Sequence, residues 1–311
     1  LGRLPVMGVD PGYRTGCKIA AVDATGRVVE TGVVYPGRSA GEDEKAAETL
    51  RSLVARHAIE AVAIGNGTGG REMESFARKA LADAADVIVA LVPETGASVY
   101  SASEIAREEL PTLDVSLRGA ASIARRIQDP LAELVKIDPK SLGVGQYQHD
   151  VDQKALQAEL DAAVEKVANQ VGVELNTASA PLLRRVSGLT SRVASEIVAR
   201  RDAHGPFRTR RELLDVPRLG AKAYEQAAGF LRIRGAENPL DNTGVHPERY
   251  GVVDEMARAL GVKTKELVGA PHLADTLDLA RFVDEARQLG LYTLDDIRAE
   301  LARPGRDPRP E

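Results

Sequence analysis

Residues 6–22 read VMGVDPGYRTGCKIAAV, and the fold is predicted from this stretch outward. Its apolar start leads to a carboxylate, Asp10, which is followed by Pro11-Gly12, a strong turn signal. Residues 17–22 have the length and β-branched content of a buried strand, and residues 28–35 form a third such run after a short turn. Because short turns join all three, we predict an antiparallel meander. Asp10 would end the first strand, a place that suits metal or phosphate chemistry.

After the meander the pattern alternates between helices and two further strands. Apolar residues recur at helical spacing over 40–57, and short apolar runs at 61–65 and 86–94 predict strands. The first of these strands runs into a glycine-rich loop at 65–70. Further helices are predicted over 71–82, 98–109 and 117–128. The order of strands and helices resembles that of the ribonuclease H-like fold, a mixed sheet flanked by helices.

From residue 151 onward no strand pattern is visible, and we expect the chain to be helical throughout. An amphipathic helix over 151–171 is interpreted as an arm between two domains. Later helices are expected at 252–260, 279–289 and 294–301. The predicted fold class is therefore α/β plus all-α. The predicted domains are a mixed-sheet domain at 1–150, a connecting helix at 151–175, a hairpin domain at 176–240, a helical domain at 241–302 and a linker at 303–311.

Composition sets the first limits on function. No stretch approaches the roughly 20 apolar residues that a membrane span needs, so no membrane association is expected. Cys17 is the only cysteine, which excludes an intrachain disulfide and favours a cytoplasmic location. The five histidines are scattered without the spacing of zinc ligands. The sequence begins without a methionine, almost directly at a strand, which is typical of a fragment without a signal peptide.

Positive charge is concentrated in one part of an acidic chain. The whole sequence has a net charge of −5, whereas residues 176–235 hold 12 Lys and Arg against 5 Asp and Glu. Such a basic segment is typical of proteins that bind polyanions. Aromatic residues are few, with four Phe, seven Tyr and no Trp, so base stacking is not the expected contact. We therefore expect binding to the backbone of RNA or DNA without sequence preference.

The basic segment contains a near-repeat with a period of thirty residues. Residues 183–198 and 213–228 both read as helix, tight turn and helix, with 176–179 predicted to cap the first unit and 205–207 separating the two. Such a turn leaves backbone N–H groups free at the start of the second helix, where the helix dipole also favours a phosphate. The predicted phosphate contacts are Arg184, Arg185, Gly188, Thr190, Arg192, Arg218, Gly220 and Lys222. The alternatives are a scaffold whose glycines serve only packing, and a basic surface that docks an acidic protein.

Several motifs resemble one known family. Residues 8–12, GVDPG, resemble the first strand of a YqgF-type, ribonuclease H-like domain, and residues 176–233 resemble a tandem helix-hairpin-helix domain. Together with 94–101, 138–141 and 143–150, their order closely resembles the bacterial Tex transcription accessory family. The resemblance implies a nucleic-acid-binding accessory factor that has the transcription machinery as a partner. It also implies a helical region before this chain and an OB-fold RNA-binding domain after it.

Nuclease activity on this fold would need three or four carboxylates around two metal ions. By the same resemblance, Asp10 takes the position of the first family carboxylate and Glu94 that of the second. The third belongs to the late helix, where the matching residue is Arg118 or Gly119 and neither is an acid. A guanidinium beside two carboxylates would compete with the metals. We therefore expect Asp10 and Glu94 to be vestigial, with no bound metal, no cofactor and no enzymatic activity, and the domain to act as a scaffold.

Two enzymatic alternatives stay open. One is a metal-dependent, ribonuclease H-like nuclease or resolvase built on Asp10 and Glu94. The other is an actin-like ATP-binding enzyme, in which Asp10-Pro11-Gly12 and the loop at 65–70 would cradle the phosphates. The second is disfavoured because no matching set of strands follows residue 140.

Overall fold

The computed structural model describes residues 2, 4–12, 14–84 and 86–304. The chain divides into two compact units, Leu1–Leu156 and Gln157–Glu311, and each has a hydrophobic core of its own. Among the helices in these described ranges, none combines the length and the apolar character that crossing a membrane requires. Most of the linker predicted at 303–311 lies outside the described residues, which end at residue 304.

The first unit is built on a five-stranded mixed sheet in the order β3-β2-β1-β4-β5. The strands are β1 Val6–Asp10, β2 Cys17–Val22, β3 Val28–Val34, β4 Ala61–Gly65 and β5 Ile88–Val92. The first three pair antiparallel, which confirms the predicted meander, while β4 and β5 extend the sheet in parallel. The central strands β1 and β4 are almost wholly buried, which explains their continuous apolar sequence.

Helices cover both faces of this sheet. They are α1 Ala40–His57, α2 Gly70–Ala80, α3 Ala97–Ala102, α4 Glu104–Glu109, α5 Val115–Gln128, α6 Pro130–Leu134 and α7 Pro139–Leu142. Leu50 of α1 and Met73 of α2 belong to the same core cluster as Met7 of β1, whereas α5 packs on the other face. The approach of α5 to β1 is close, because a Cβ on Gly8 would lie 2.7 Å from the backbone N of Ala124. This packing brings the end of β1 against the start of α5.

The helix predicted over 98–109 is divided into α3 and α4. Ser103 has an extended backbone with ψ 160°, and its hydroxyl accepts a hydrogen bond from the N–H of Ala106 at 3.1 Å. A serine in this conformation caps the second helix and cannot continue the first. The serine was available in the sequence as a cap signal, although the helical spacing of its neighbours concealed it.

The second unit is mainly helical. Its elements are α8 Gln153–Val171, which starts before the division between the units, and then α9 Ala180–Leu183, α10 Ser191–His204, α11 Ala221–Ala227, α12 Tyr250–Ala259, α13 Thr264–Leu267, α14 Pro271–Ala274 and α15 Leu291–Ala302. Short 3₁₀ turns lie at Arg210–Asp215, Ala228–Phe230, Pro239–Asn242, Pro247–Arg249 and Leu279–Phe282. The later helices share a core that includes Val253, Met256, Leu267, Leu294 and Leu301.

The expectation of a wholly helical chain after residue 151 is wrong in two places. β6 Val173–Glu174 pairs in parallel with β7 Leu231–Arg232, and an isolated antiparallel bridge joins Asp284 to Leu289. A ladder of two residues is too short to leave an alternating pattern in the sequence. The helix predicted at 279–289 is reduced to the 3₁₀ turn Leu279–Phe282. The chain then folds back at this bridge through a tight turn in which Gln288 has φ 52°.

The predicted cap at 176–179 also has a different structure. Ser179 is the N-cap residue of α9, but its side chain makes no capping hydrogen bond. Asn176 instead contacts Phe207, donating from Nδ2 to its carbonyl at 2.9 Å and accepting its N–H on Oδ1 at 2.8 Å. This pair of bonds ties the start of the first hairpin segment to the break predicted at 205–207.

Candidate nucleic-acid interface

The first hairpin joins α9 to α10 through a turn that α8 holds in place. Gly188 has a left-handed backbone, with φ 86°, which only glycine adopts without strain. Asn169 of α8 bonds Ser187 twice, accepting its N–H at 3.2 Å and donating to its hydroxyl at 3.0 Å. Thr190 caps α10, because its hydroxyl accepts from the N–H of Val193 at 3.3 Å. The start of α10 is thus fixed beside the turn.

The second hairpin runs from the 3₁₀ turn Arg210–Asp215 into α11. Here the left-handed residue is Arg218, with φ 68°, and Gly220 is the N-cap of α11 with an ordinary φ of −79°. Gly188 and Gly220, both predicted as phosphate contacts, therefore occupy different positions in the two hairpins. Arg218 matches Gly188, and Gly220 matches Thr190. A Cβ on Gly220 would meet no atom within 4 Å.

The two hairpins contact each other at the first turn. A Cβ on Gly188 would lie 2.7 Å from Cβ of Gln226 and 3.1 Å from the carbonyl oxygen of Ala223, both in α11. The alternative in which the glycines serve packing therefore describes Gly188. It does not describe Gly220, whose surroundings are open.

Of the predicted cationic contacts, four are exposed at the two hairpins: Arg184, Arg192, Arg218 and Lys222. Arg185 differs, because its guanidinium lies 2.6 Å from the carboxylate of Asp161 in α8. The hydrogen bond from Arg185 is also the main reason why the pKa of Asp161 lies below its usual value. Arg185 therefore braces the hairpin against α8 and is not free to meet a phosphate.

Several other cations of the basic segment are used inside the fold. Arg200 pairs with Glu212 at 2.8 Å and stacks over the ring of Phe207. Arg210 is buried, with its Nε donating to the carbonyl of Leu231 and its Nη1 to that of Val245, both at 2.8 Å. The net charge of the segment therefore overstates the positive charge at its surface.

The two predicted carboxylates come together at one edge of the sheet in the first unit. Asp10 ends β1, and Glu94 follows β5 by two residues. Burial raises the pKa of the Asp10 carboxyl, the negative charge of Glu94 raises it further, and the Lys18 ammonium opposes both. Lys18 is the cross-strand partner of Asp10, and its Nζ donates to the carbonyl of Gly16 at 2.9 Å. The register of the meander could have predicted this lysine, which the sequence reasoning missed.

Of the two residues proposed for the third carboxylate position, Gly119 faces Asp10. A Cβ on Gly119 would lie 2.7 Å from Oδ2 of Asp10. Arg118 points elsewhere, since its Nε donates to the carbonyl of Leu113 at 3.0 Å and its Nη1 to that of Ser101 at 3.3 Å. The cation beside Asp10 is thus Lys18, while the charge of the buried Arg126 acts on Glu94, and the expected competition from Arg118 is not the arrangement found. Within the described residues, no group of three or more His, Cys, Asp or Glu side chains could hold a metal ion.

The glycine-rich loop between β4 and α2 is faced by Glu94. A Cβ on Gly65 or Gly67 would collide with the Glu94 carboxylate, so this side chain fills the space in front of the loop. A phosphate placed there would meet a negative charge at close range. This geometry does not favour the alternative of an ATP-binding loop.

Comparison with known proteins assigns most of the chain to described families. The Tex protein YqgF-like domain matches residues 4–128, a helix-hairpin-helix motif matches 168–232, and an HHH domain matches 238–309. The chain is 54% identical over its whole length to "Protein tex" of Bordetella pertussis and 52% identical over 99% of its length to "Transcriptional accessory protein Tex" of Neisseria gonorrhoeae. It is 36% identical over 96% of its length to "S1 RNA-binding domain-containing protein 1" of Homo sapiens. It spans 39%, 40% and 36% of these three relatives, respectively.

Proposed function

Since this chain belongs to the Tex family, we propose that it is the part of a transcription accessory factor that binds the backbone of nucleic acid through its two hairpins. The observation that carries the proposal is the placement of exposed cations at both hairpin turns, namely Arg184, Arg192, Arg218 and Lys222. Guanidinium and ammonium groups beside free backbone N–H groups are suited to phosphate oxygens. Such contacts position a protein without reading the bases.

The chemistry of this surface favours backbone contact over base recognition. Phe207, the aromatic residue between the hairpins, is buried, and Tyr224 of α11 is half-buried. Neither ring is fully exposed, so this surface is poorly suited to stacking of bases. Both RNA and DNA carry the required phosphates, and a relative with an RNA-binding name favours RNA as the first ligand to test.

The proposal is tested by measuring affinity against salt concentration for single- and double-stranded RNA and DNA. Each phosphate contact should contribute roughly −0.7 to −0.9 to the slope of log affinity against log salt. Replacing Arg218 and Lys222 with Ala should weaken binding to all sequences alike and flatten the slope by about one or two units. A matched control removes the same charge at Lys265 and Arg281, two exposed cations outside the hairpins. If both double variants lost affinity equally, binding would be explained by non-specific electrostatic attraction and not by the hairpins.

We propose that the first unit is a scaffold without nuclease activity. The support is that Gly119, and not an acid, faces Asp10. Incubation with single-stranded and branched substrates in Mg²⁺ or Mn²⁺ should give no cleavage above background. Metal-dependent cleavage that is abolished by Asp10→Asn would overturn this proposal in favour of a nuclease or resolvase.

We propose that the protein acts in the cytoplasm together with the transcription machinery. Cys17 is a free, buried thiol, which is compatible with the reducing cytoplasm. The name of the Neisseria gonorrhoeae relative suggests the transcription machinery as a partner. Co-purification of RNA polymerase with the full-length protein, after nuclease treatment to remove bridging nucleic acid, is the measurement. Loss of the polymerase on that treatment would mean that nucleic acid alone connects the two.

A further inference from the structure

We propose that the start of α15 is a docking surface for an arginine-bearing segment of a protein partner. Tyr292 is 92% exposed, Leu291 is 56% exposed and Val283 is 45% exposed. Large apolar and aromatic side chains in this state, gathered in one place, are typical of protein interaction sites. The surface is separate from the hairpins, and its role does not depend on binding of nucleic acid.

The backbone brings these three side chains together. The bridge between Asp284 and Leu289 folds the chain back, so that Val283 lies across from Gly290, the N-cap of α15. Leu291 and Tyr292 follow at once in the first turn of that helix. The three residues therefore form one patch, which we call the Tyr292 surface.

The Tyr292 surface is not needed for the core of the unit. The opposite side of α15 supplies Leu294, Ile297 and Leu301, which are buried with the other helices. A tyrosine in the first turn that points away from this core gains no stability by burial. Its exposure is therefore best explained by a partner that covers it.

Charge identifies the class of that partner. Residues 271–302 contain seven Asp and Glu but only three Arg. Two of these arginines already form ion pairs. Arg287 pairs with Asp284 and Glu255, and Arg298 pairs with Asp295. Asp296 lies one helical turn after Tyr292, is exposed, and takes part in no ion pair among the described residues. The surface is therefore apolar, with a border in which exposed carboxylates outnumber the one remaining arginine, Arg281.

An arginine side chain satisfies both features of this surface. Its guanidinium can stack on the face of Tyr292 and donate to the carboxylate of Asp296, which follows four residues later on the same helix face. An apolar residue beside the arginine would cover Leu291 and Val283. Nucleic acid is a poorer match, because its phosphates would face the acidic border. The exposed cations of the hairpins mark a separate surface of opposite charge.

The test selects ligands from a random dodecapeptide library displayed on phage, with the parent chain and a Tyr292→Ser variant as parallel targets. The selected peptides should combine Arg with a neighbouring apolar residue. A synthetic, fluorescent copy of the most enriched peptide should bind the parent about tenfold more tightly than Tyr292→Ser, and several-fold more tightly than Asp296→Asn. Asp215→Asn, which removes an exposed carboxylate from the hairpin segment, serves as the control and should leave peptide affinity unchanged.

Because Tyr292 is exposed, its replacement should leave the thermal melt of the chain unchanged, and Leu291→Ser offers a second variant with the same expectation. The proposal is overturned if no peptide is enriched on the parent over Tyr292→Ser, or if the enriched peptides lack basic residues. It is also overturned if Tyr292→Ser weakens the binding of a single-stranded RNA oligonucleotide, since the surface would then belong to the nucleic-acid site.

Discussion

Arg218 occupies in the second hairpin the position that Gly188 holds in the first, and both residues have a left-handed backbone, with φ of 68° and 86°. Glycine adopts this conformation freely, whereas a residue with a Cβ loses about 1–2 kcal/mol there. Backbone strain of this kind clusters at functional sites, although Gln288 shows that a turn alone can also hold it. The guanidinium of Arg218 is exposed at the turn, where it can reach a phosphate.

Replacing Arg218 with Gly should therefore separate stability from binding. We expect the free energy of unfolding to rise by roughly 0.5–1 kcal/mol, because relief of strain exceeds the added flexibility of glycine in the unfolded chain. Affinity for RNA and DNA should fall for all sequences, and the salt slope should flatten by about one unit. Denaturant unfolding and fluorescence anisotropy measure the two effects. Arg218→Lys, which keeps both the charge and the strain, should change neither quantity much; tight binding by Arg218→Gly would contradict a phosphate contact there.

A change at Gly220 tests the hairpin mechanism without altering charge. Gly220 is exposed, its φ is ordinary, and a Cβ there meets no atom within 4 Å, so Gly220→Val should fold. We expect a branched side chain beside the turn to hinder the approach of a phosphate. The slope of log affinity against log salt should then flatten by the contribution of about one phosphate contact. Gly220→Ser, which is smaller and can cap α11, is the control for helix stability. If a folded Gly220→Val protein bound as tightly as the parent, only a diffuse basic surface would remain.

Much of the fold follows from short-range signals in the sequence. The meander was predictable because Pro11-Gly12 and the turn before residue 28 limit how far the first three strands can separate. The hairpins were predictable because the same spacing of apolar residues recurs after thirty residues. In both cases the signal lies in short stretches of sequence and does not depend on which distant residues come into contact.

The remaining features depend on contacts between distant residues. Gly119 and Arg118 are adjacent in sequence, and only the packing of α5 on β1 decides which of them faces Asp10. The pairing of Val173 with Leu231 joins segments that are far apart in the chain and leaves no periodic pattern. Arg185 likewise has the sequence pattern of a surface cation, and only the packing of α8 brings Asp161 beside it. Local pattern cannot determine such partners.

The pair of carboxylates formed by Asp10 and Glu94 predicts that stability depends on pH. Burial, followed by the charge of Glu94, raises the pKa of Asp10 in the folded state above its unfolded value. The ionised carboxyl therefore lowers stability at neutral pH, and this loss disappears as the pH falls through the folded pKa. Asp10→Asn should be more stable than the parent at neutral pH, with the difference shrinking towards acidic pH in paired thermal melts. In a Glu94→Gln background, Asp10→Asn should raise the thermal stability by less than it does in the parent. An equal rise in both backgrounds would show that the two carboxylates do not interact.

The most severe loss of stability is expected at Arg210, which is 1% exposed. Its guanidinium donates to the carbonyls of Leu231 and Val245 and to the hydroxyl of Tyr250, each at 2.8 Å, and also to the carbonyl of Thr243. It thereby joins the end of the hairpin segment to the helical segment that follows.

Arg210→Met would fill much of the same volume but leave these buried oxygens without a donor. We expect the second unit to lose about 3–5 kcal/mol of unfolding free energy, since the cost arises from unpaired groups in the core. Arg211→Met is the matched control, because the neighbouring side chain is exposed and its loss should stay within about 0.5 kcal/mol. Hydrogen exchange of the backbone over 231–245 should accelerate in the first variant and not in the second. If both variants exchanged at the parent rate, the carbonyls would have found other donors, and Arg210 would be a replaceable part of the core.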